Sequence, residues 1–283
     1  MLVVIKGAGD LASGIALRLH HAGFEIAMTE IAAPISVRRT VCFSQAVYEG
    51  RKQVEDITAV LVNNEAGMKD VFLKKQIAVF VDPCAAVVKS FKPAAIIDAI
   101  MAKKNTGTAI TDAPVVICAG PGFTAGVDCH AVIETQRGHT LGRVITEGCA
   151  LPNTGIPGNI GGFTIERLLR SPADGVFEAA SSIGDMVKKG ETVAHVRNLP
   201  AAAAGEEVSL REEIFPIKAE IDGILRGILP SGIKVKLGMK AGDIDPRCEE
   251  AHCFTVSDKA LSIGGGVLEA FLRFFSSYDM IVP

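Results

Sequence analysis

The stretch Leu2-Val-Val-Ile-Lys-Gly-Ala-Gly-Asp-Leu-Ala-Ser-Gly14 decides the fold. Leu2 to Lys6 is an apolar, β-branched run that reads as a buried strand, and the glycines after it end the strand. Leu11, Ile15 and Leu19, with Ala12 and Ala16, then recur at helical spacing, and Asp10 stands where an N-cap would. Gly23 closes this helix, and Glu25 to Thr29 form a second strand that ends at Glu30. Strand, glycine turn, helix and strand in succession point to a parallel sheet covered by helices.

Outward from this unit the pattern repeats. Ser36 caps a predicted helix running to about Tyr48, Thr58–Val62 and Ala78–Val81 read as strands, Pro93–Ala102 as a helix with proline at its start, and Pro114–Cys118 as another strand. From about residue 106 the texture shifts to strands and glycine loops, with Ala131–Thr135 and Leu141–Ile145 as strands flanking the turn Arg137-Gly138-His139.

A repeat follows. Asp174-Gly175, Gly184, Val187-Lys188 and Gly190 recur without a gap as Asp222-Gly223, Gly232, Val235-Lys236 and Gly238, each 48 positions on. Each half is too small to bury its own apolar face, so the two halves must pair about a pseudo-dyad. The pattern resembles the lipoyl/biotinyl-type barrel-sandwich, although no lysine for attachment lies between Lys189 and Lys218. The connector Leu199–Glu213 has no strand pattern and reads as an excursion between the halves.

The fold class predicted is therefore α/β: an N-terminal Rossmann-like doubly wound sheet plus a β-rich barrel-sandwich (lipoyl/biotinyl-like) domain built from two repeated halves. The corresponding domains are 1–170, 171–247 and a C-terminal helical segment, 248–283, packing on the first.

Composition narrows the function classes. With 48% hydrophobic and 22% charged residues the chain has enough apolar surface to offset ordering. A net charge of −3 and the absence of a basic, aromatic-laced run speak against nucleic acid. The start lacks the flanks of a signal peptide, and no stretch approaches the about 20 apolar residues that span a bilayer. Seven cysteines without a C-x-x-C pair read as reduced thiols of a cytoplasmic protein.

The residues able to carry chemistry lie in glycine loops. Gly7-Ala8-Gly9-Asp10-Leu11-Ala12 fits G-x-G-x-x-G/A between a strand and a helix: Gly7 for the turn, Gly9 for approach to a phosphate, Ala12 for close packing. Glu30 is placed to receive ribose hydroxyls, whereas Asp10 sets a carboxylate beside the helix N-terminus, where it caps the helix and repels a diphosphate. A ligand loop and a plain tight turn both stay open. Three further clusters, around Gly120 and Gly122, around Gly155 to Gly162, and at Gly264-Gly265-Gly266, suggest a composite site; a helix crossing is the alternative for the last. Lys103 and Arg137 supply positive charge. Asp128, His130 and Glu134 are the catalytic candidates, His130 and Glu134 falling on one face of a strand. Cys248, His252 and Cys253 leave a structural zinc one ligand short, so no metal is assigned.

Taken together, Lys6–Gly14, Ala102–Gly107, Gly120–Gly126, Val132–Arg143, Asn153–Gly158 and Ser257–Gly266 resemble the YqeB-type accessory proteins of selenium-dependent molybdenum hydroxylase systems, a family distantly similar to XdhC-type maturation proteins. The resemblance implies a maturation factor that handles molybdopterin or its dinucleotide form and meets a molybdenum hydroxylase client. The residues alone imply a small anionic ligand, with self-association as an option and neither nucleic acid nor membrane as partner. An NAD(P)-dependent oxidoreductase and a client-docking scaffold without ligand chemistry are the competing readings; no complete catalytic motif is present.

Overall fold

The computed structural model describes residues 1–198 and 213–279. The connector Leu199–Glu213 lies outside these except for its last residue, which begins a strand. Two compact units are distinguished, one of residues 1–34, 41–155 and 255–283, the other of residues 35–40 and 156–254.

The first unit opens with β1 (Leu2–Lys6), α1 (Asp10–His21) and β2 (Glu25–Glu30), as the sequence predicts. It continues through α2 (Ala46–Glu49), β3 (Arg51–Val54), β4 (Ile57–Leu61), α3 (Glu65–Leu73), β5 (Ile77–Val81), α4 (Val87–Phe91) and β6 (Ala95–Asp98). Then come β7 (Val115–Ala119), β8 (Thr124–Ala125), β9 (Ala131–Ile133), β10 (Val144–Ile145) and β11 (Gly148–Cys149). The second unit holds β12 (Leu168–Arg170), β13 (Gly175–Ala179), β14 (Met186–Val187), β15 (Thr192–Asn198), β16 (Glu213–Lys218), β17 (Gly223–Ile228), β18 (Lys234–Val235), β19 (Lys240–Asp245) and α5 (Ala251–Phe254). The chain then returns to the first unit with α6 (Asp258–Asp279).

Nine strands form one sheet in the order β10-β9-β7-β6-β1-β2-β5-β4-β3. Alternation along the strands gives it two apolar faces. Val3, Ile5, Ile26, Met28, Ile97 and Ile117 pack with α1 and α6, whereas Val4, Ala27, Ala78 and Ile96 pack with Met68, Val71 and Phe72 of α3 and with Phe91. Helix α1 ends as predicted: Gly23, at φ +93°, donates its N–H to His20 O at 2.9 Å. Its start differs, because Gly9 is the N-cap and Asp10 is the first helical residue. Two expected helices are absent. Residues 36–48 form 3-10 turns at Arg39–Val41 and Phe43–Gln45 before the short α2, and the Pro93–Ala102 segment is strand β6 with its following loop.

In the second unit the repeat is realised as reciprocal capping. Asp174 accepts from Leu237 N (2.7 Å) and Lys236 Nζ (2.8 Å), while Asp222 accepts from Lys189 N (2.8 Å) and Lys188 Nζ (3.1 Å). Gly184 N donates to Leu225 O, and Gly232 N donates to Phe177 O. Each half thus closes the turns of the other. Gly175 and Gly223 are required for the same reason: a Cβ would stand 2.3 Å from Arg197 O at the first and 2.7 Å from Asp245 O at the second.

The predicted class needs correction. The doubly wound Rossmann-like sheet plus lipoyl/biotinyl-like barrel-sandwich is not the architecture found. The large sheet is mixed, its edge strands β10 and β3 both antiparallel to their neighbours. Helices are few, and the connections from β6 to β7 and from β7 to β9 contain none. The second unit consists of two four-stranded antiparallel sheets, β12-β19-β17-β14 and β16-β15-β13-β18, and takes in β12 and residues 35–40 from outside the repeat. One well-formed βαβ unit does not fix how the remaining strands are joined.

Candidate functional site

Strands β9, β7, β6, β1, β2, β5 and β4 are parallel, so their carboxyl ends share one edge. The chain leaves β1 for β2 on one side and later lays β6 on the other. The carboxyl ends of two strands at such a reversal of winding are the usual place for a ligand in an open α/β sheet.

Four loops meet there. Gly7, at φ +94°, lies so close to the loop after β6 that a Cβ would stand 3.1 Å from Ala99 O and 3.2 Å from Ile100 Cα. Gly120 (φ +80°) faces Thr135 Oγ1 at 2.8 Å from its hypothetical Cβ, and Gly122 (φ +106°) faces Lys104 N at 2.6 Å and the Lys103 carbonyl carbon at 2.7 Å. At Gly7 and Gly122 glycine is needed because backbone meets backbone, and at Gly120 because the Thr135 side chain stands in the way of a Cβ. Gly7, Lys103, Gly120 and Gly122 are therefore gathered along one edge, as the sequence suggests, with Lys103 exposed at the rim.

The loop after β1 is clamped from within. Ala8 O accepts from Ser44 N (2.8 Å) and Ser13 Oγ (3.2 Å), and Ser13 Oγ itself accepts from Phe43 N at 2.8 Å. Glu30 Oε2 accepts from Ala8 N and Oε1 from Ile31 N, both at 2.9 Å. The acid expected to receive ribose hydroxyls is thus engaged with backbone, one of its partners being an N–H of the glycine loop itself. Gly9, at φ −73°, adopts a conformation open to any residue, and Ala12 is buried in α1.

The three catalytic candidates do not form a constellation. Asp128 Oδ2 accepts from Thr124 N (2.7 Å) and Oδ1 from Asn105 Nδ2 (3.2 Å). His130 and Glu134 bracket β9 at opposite ends, about 13 Å apart along extended chain. His130 Nδ1 accepts from Val116 N at 3.0 Å, which puts the ring proton on Nε2, and burial lowers its pKa below the ordinary value. Glu134, 2% exposed, accepts from Gln136 N (2.7 Å) and Leu151 N (2.8 Å), so it organises loops. Arg137 makes a bidentate pair with Asp258 at the start of α6 (2.8 and 2.9 Å).

Of the last glycine cluster, Gly264 serves the helix crossing: a Cβ there would stand 2.8 Å from Arg18 Cγ and 2.9 Å from Gly14 O. Gly266 packs instead against the loop before β10, where a Cβ would stand 2.1 Å from Gly142 O, while Gly265 is exposed with nothing within 4 Å. Neither Gly264 nor Gly265 belongs to the crevice loops just described.

Sequence reasoning missed a buried charged pair at the ends of β1 and β6. Lys6 Nζ donates to Thr108 Oγ1 at 2.6 Å, Thr108 Oγ1 donates to Asp98 Oδ2 at 2.6 Å, and Lys6 Nζ lies 3.7 Å from Asp98 Oδ2. All three are buried. Asn105 extends the network, donating to Thr108 O at 2.8 Å and reaching Asp128. The one available signal was a lysine closing an otherwise apolar strand. Among the described residues no group of three His, Cys, Asp or Glu is placed to hold a metal ion, and no helix is long and apolar enough to cross a membrane.

No family model matches the chain. It is 49% identical over 271 residues, 96% of its length, to the "uncharacterized protein YqeB" of Escherichia coli K12. The chain is of the YqeB type. It spans about half the length of that relative, 47%. Among solved structures, the YqeB-type chain is similar to an aspartoacylase family protein of Mesorhizobium loti, at a TM-score of 0.28 and 10% identity, covering 86% of this chain and 84% of that one. It is also similar to product-bound ectoine utilization protein EutE of Ruegeria pomeroyi, at a TM-score of 0.24 and 12% identity, covering 77% and 57%. A succinylglutamate desuccinylase of Silicibacter matches at a TM-score of 0.25 and 11% identity, covering 86% and 84%.

Proposed function

We propose that this chain is a cytoplasmic accessory factor for maturation of a selenium-dependent molybdenum hydroxylase, and that it binds a small anionic ligand, nucleotide-like or a pterin phosphate, in the crevice at the carboxyl edge of its nine-stranded sheet. The observation that carries the reading is the convergence of Gly7, Gly120 and Gly122 on a winding reversal that also holds a buried lysine. Glycines packed this closely let the loops draw together at the strand ends, and the lysine supplies charge. Molybdopterin or its dinucleotide form is the ligand the family resemblance implies, as cargo for the client enzyme. A nicotinamide dinucleotide is less well served, because Glu30 is already engaged with Ala8 N and Ile31 N.

The test is equilibrium binding of molybdopterin and its dinucleotide, with NAD(H) in parallel. Saturable binding of a pterin form, weakened at least tenfold by Ile100→Asp at the exposed rim, is expected. Absence of pterin binding by the intact protein removes the reading, and preference for NAD(H) replaces it with the oxidoreductase one. Client capture that survives Ile100→Asp without any pterin binding is the outcome of a pure scaffold.

A further inference from the structure

Lys6 is a buried cation at the end of β1. Its side chain is 9% exposed, and that of Asp98 is 2% exposed. An ammonium carries three N–H donors. One goes to Thr108 Oγ1, Asp98 Oδ2 stands at 3.7 Å, beyond hydrogen-bond range, and among the described residues no further acceptor is found. The hydroxyl of Thr108, held between the two charges, keeps Asp98 close enough to balance the ammonium but prevents direct capture. Two donors of a buried cation therefore stay open, a costly arrangement unless something fills them.

Position adds to this. Alternation along β1 puts Lys6 on the face of Val4, opposite the face that α1 covers, beside Asp98 at the end of β6. On the α1 side, Glu30 already accepts the Ala8 N–H. The two sides of the crevice are thus unlike: one holds a carboxylate against the glycine loop, the other a cation with open donors.

We infer that Lys6 is the anion-binding residue of the crevice, its two open N–H donors meeting phosphate-type oxygens on the side of the loops 99–109 and 120–128, and that the N-terminus of α1 does not hold the anion. This rests on the anionic-ligand reading above and names where its charge goes. Lys6 neutralises the anion directly, Thr108 and Asp98 position it, and Lys103 at the rim contributes only general charge.

Inorganic pyrophosphate serves as the probe, with titration calorimetry on the intact chain. Wild-type binding is expected, at least tenfold weaker in Lys6→Met and changed less than threefold in Gly9→Val and in Lys103→Met. Failure of the wild-type protein to bind pyrophosphate removes the crevice reading together with this inference. Binding by the wild type that Lys6→Met leaves intact overturns the inference alone, as does an equal loss in Lys103→Met or a loss confined to Gly9→Val. If Lys6→Met does not fold by circular dichroism, a crystal of the wild-type protein with pyrophosphate decides. An anion oxygen within hydrogen-bond distance of Lys6 Nζ is expected, and an anion seated at Gly9 and Asp10 overturns the inference.

Discussion

Gly14 and Gly265 are both helical glycines, yet alanine at the two positions should change stability in opposite directions. In α1, a Cβ on Gly14 would stand 2.5 Å from Ala260 Cβ, 2.9 Å from Ala260 C and 3.0 Å from Ala260 O. Two of those atoms are backbone of α6, so relief requires the helices to separate rather than a side chain to turn. Overpacking of this kind costs about 1–3 kcal/mol, against a gain of about 1 kcal/mol from replacing glycine in a helix. The net expectation for Gly14→Ala is a loss of up to about 2 kcal/mol, lowering the melting temperature by up to about 6 °C. Gly265 meets nothing within 4 Å, so Gly265→Ala keeps only the propensity gain and should raise the melting temperature by about 2–4 °C. Adding Ala260→Gly to Gly14→Ala removes the shortest contact and should restore part of the loss, giving a coupling energy of about 1 kcal/mol in a double-mutant cycle. Thermal melts and urea titrations of the four variants measure all of this. If both single alanine substitutions stabilise, or if Ala260→Gly adds its cost independently, the close crossing of α1 and α6 is wrong.

Three more outcomes follow from the polar networks. Burial works to raise the Asp245 carboxyl, but hydrogen bonds from Arg247 and the charges of Arg226 and Arg247 outweigh it and bring its pKa from 3.8 down to about 2; about 2 kcal/mol of stability, fully present above the unfolded value, should vanish as pH falls through about 2. Urea unfolding followed between pH 5 and 1.5 should show this component in the wild type and not in Asp245→Asn; identical pH profiles would contradict it. Thr108→Val strips one hydrogen-bond partner each from buried Lys6 and Asp98 and should cost about 1–3 kcal/mol by denaturant titration, whereas an unchanged midpoint would mean that the hydroxyl is idle. Asp174→Ala and Asp222→Ala remove equivalent caps and should lower the melting temperature by similar amounts; a loss at one alone would show that the reciprocal capping is not symmetric.

What the sequence makes legible is local. The β1–α1–β2 unit and the strands near residues 58, 78 and 115 follow from apolar runs bounded by turn residues, and the 48-residue repeat shows itself as reciprocal capping. The segment 93–102 misleads because Pro-Ala-Ala-Ile-Ile-Asp is too short for its periodicity to separate strand from helix. That error hides Asp98, which becomes interesting only once it ends a strand beside Lys6. Thr108 lies 102 residues from Lys6, a partnership no spacing rule reaches. Arg137, His130 and Glu134 have the right chemistry for a site, but a bidentate acid, a backbone N–H and two loop N–H groups claim them in the folded chain. The glycines divide similarly: letters alone cannot tell Gly122, squeezed by a loop, from Gly264, squeezed by a helix.

The pairing of α1 with α6 also sets an order of events during synthesis. Ala260, the residue that fills the notch over Gly14, is made 246 residues after it. At translation speeds of about 5–20 residues per second, that leaves the notch open for roughly 12–50 seconds. Throughout that interval the nascent sheet has one apolar face without its closing helix, so a ribosome stalled before residue 258 would leave an unfinished core for chaperones to hold.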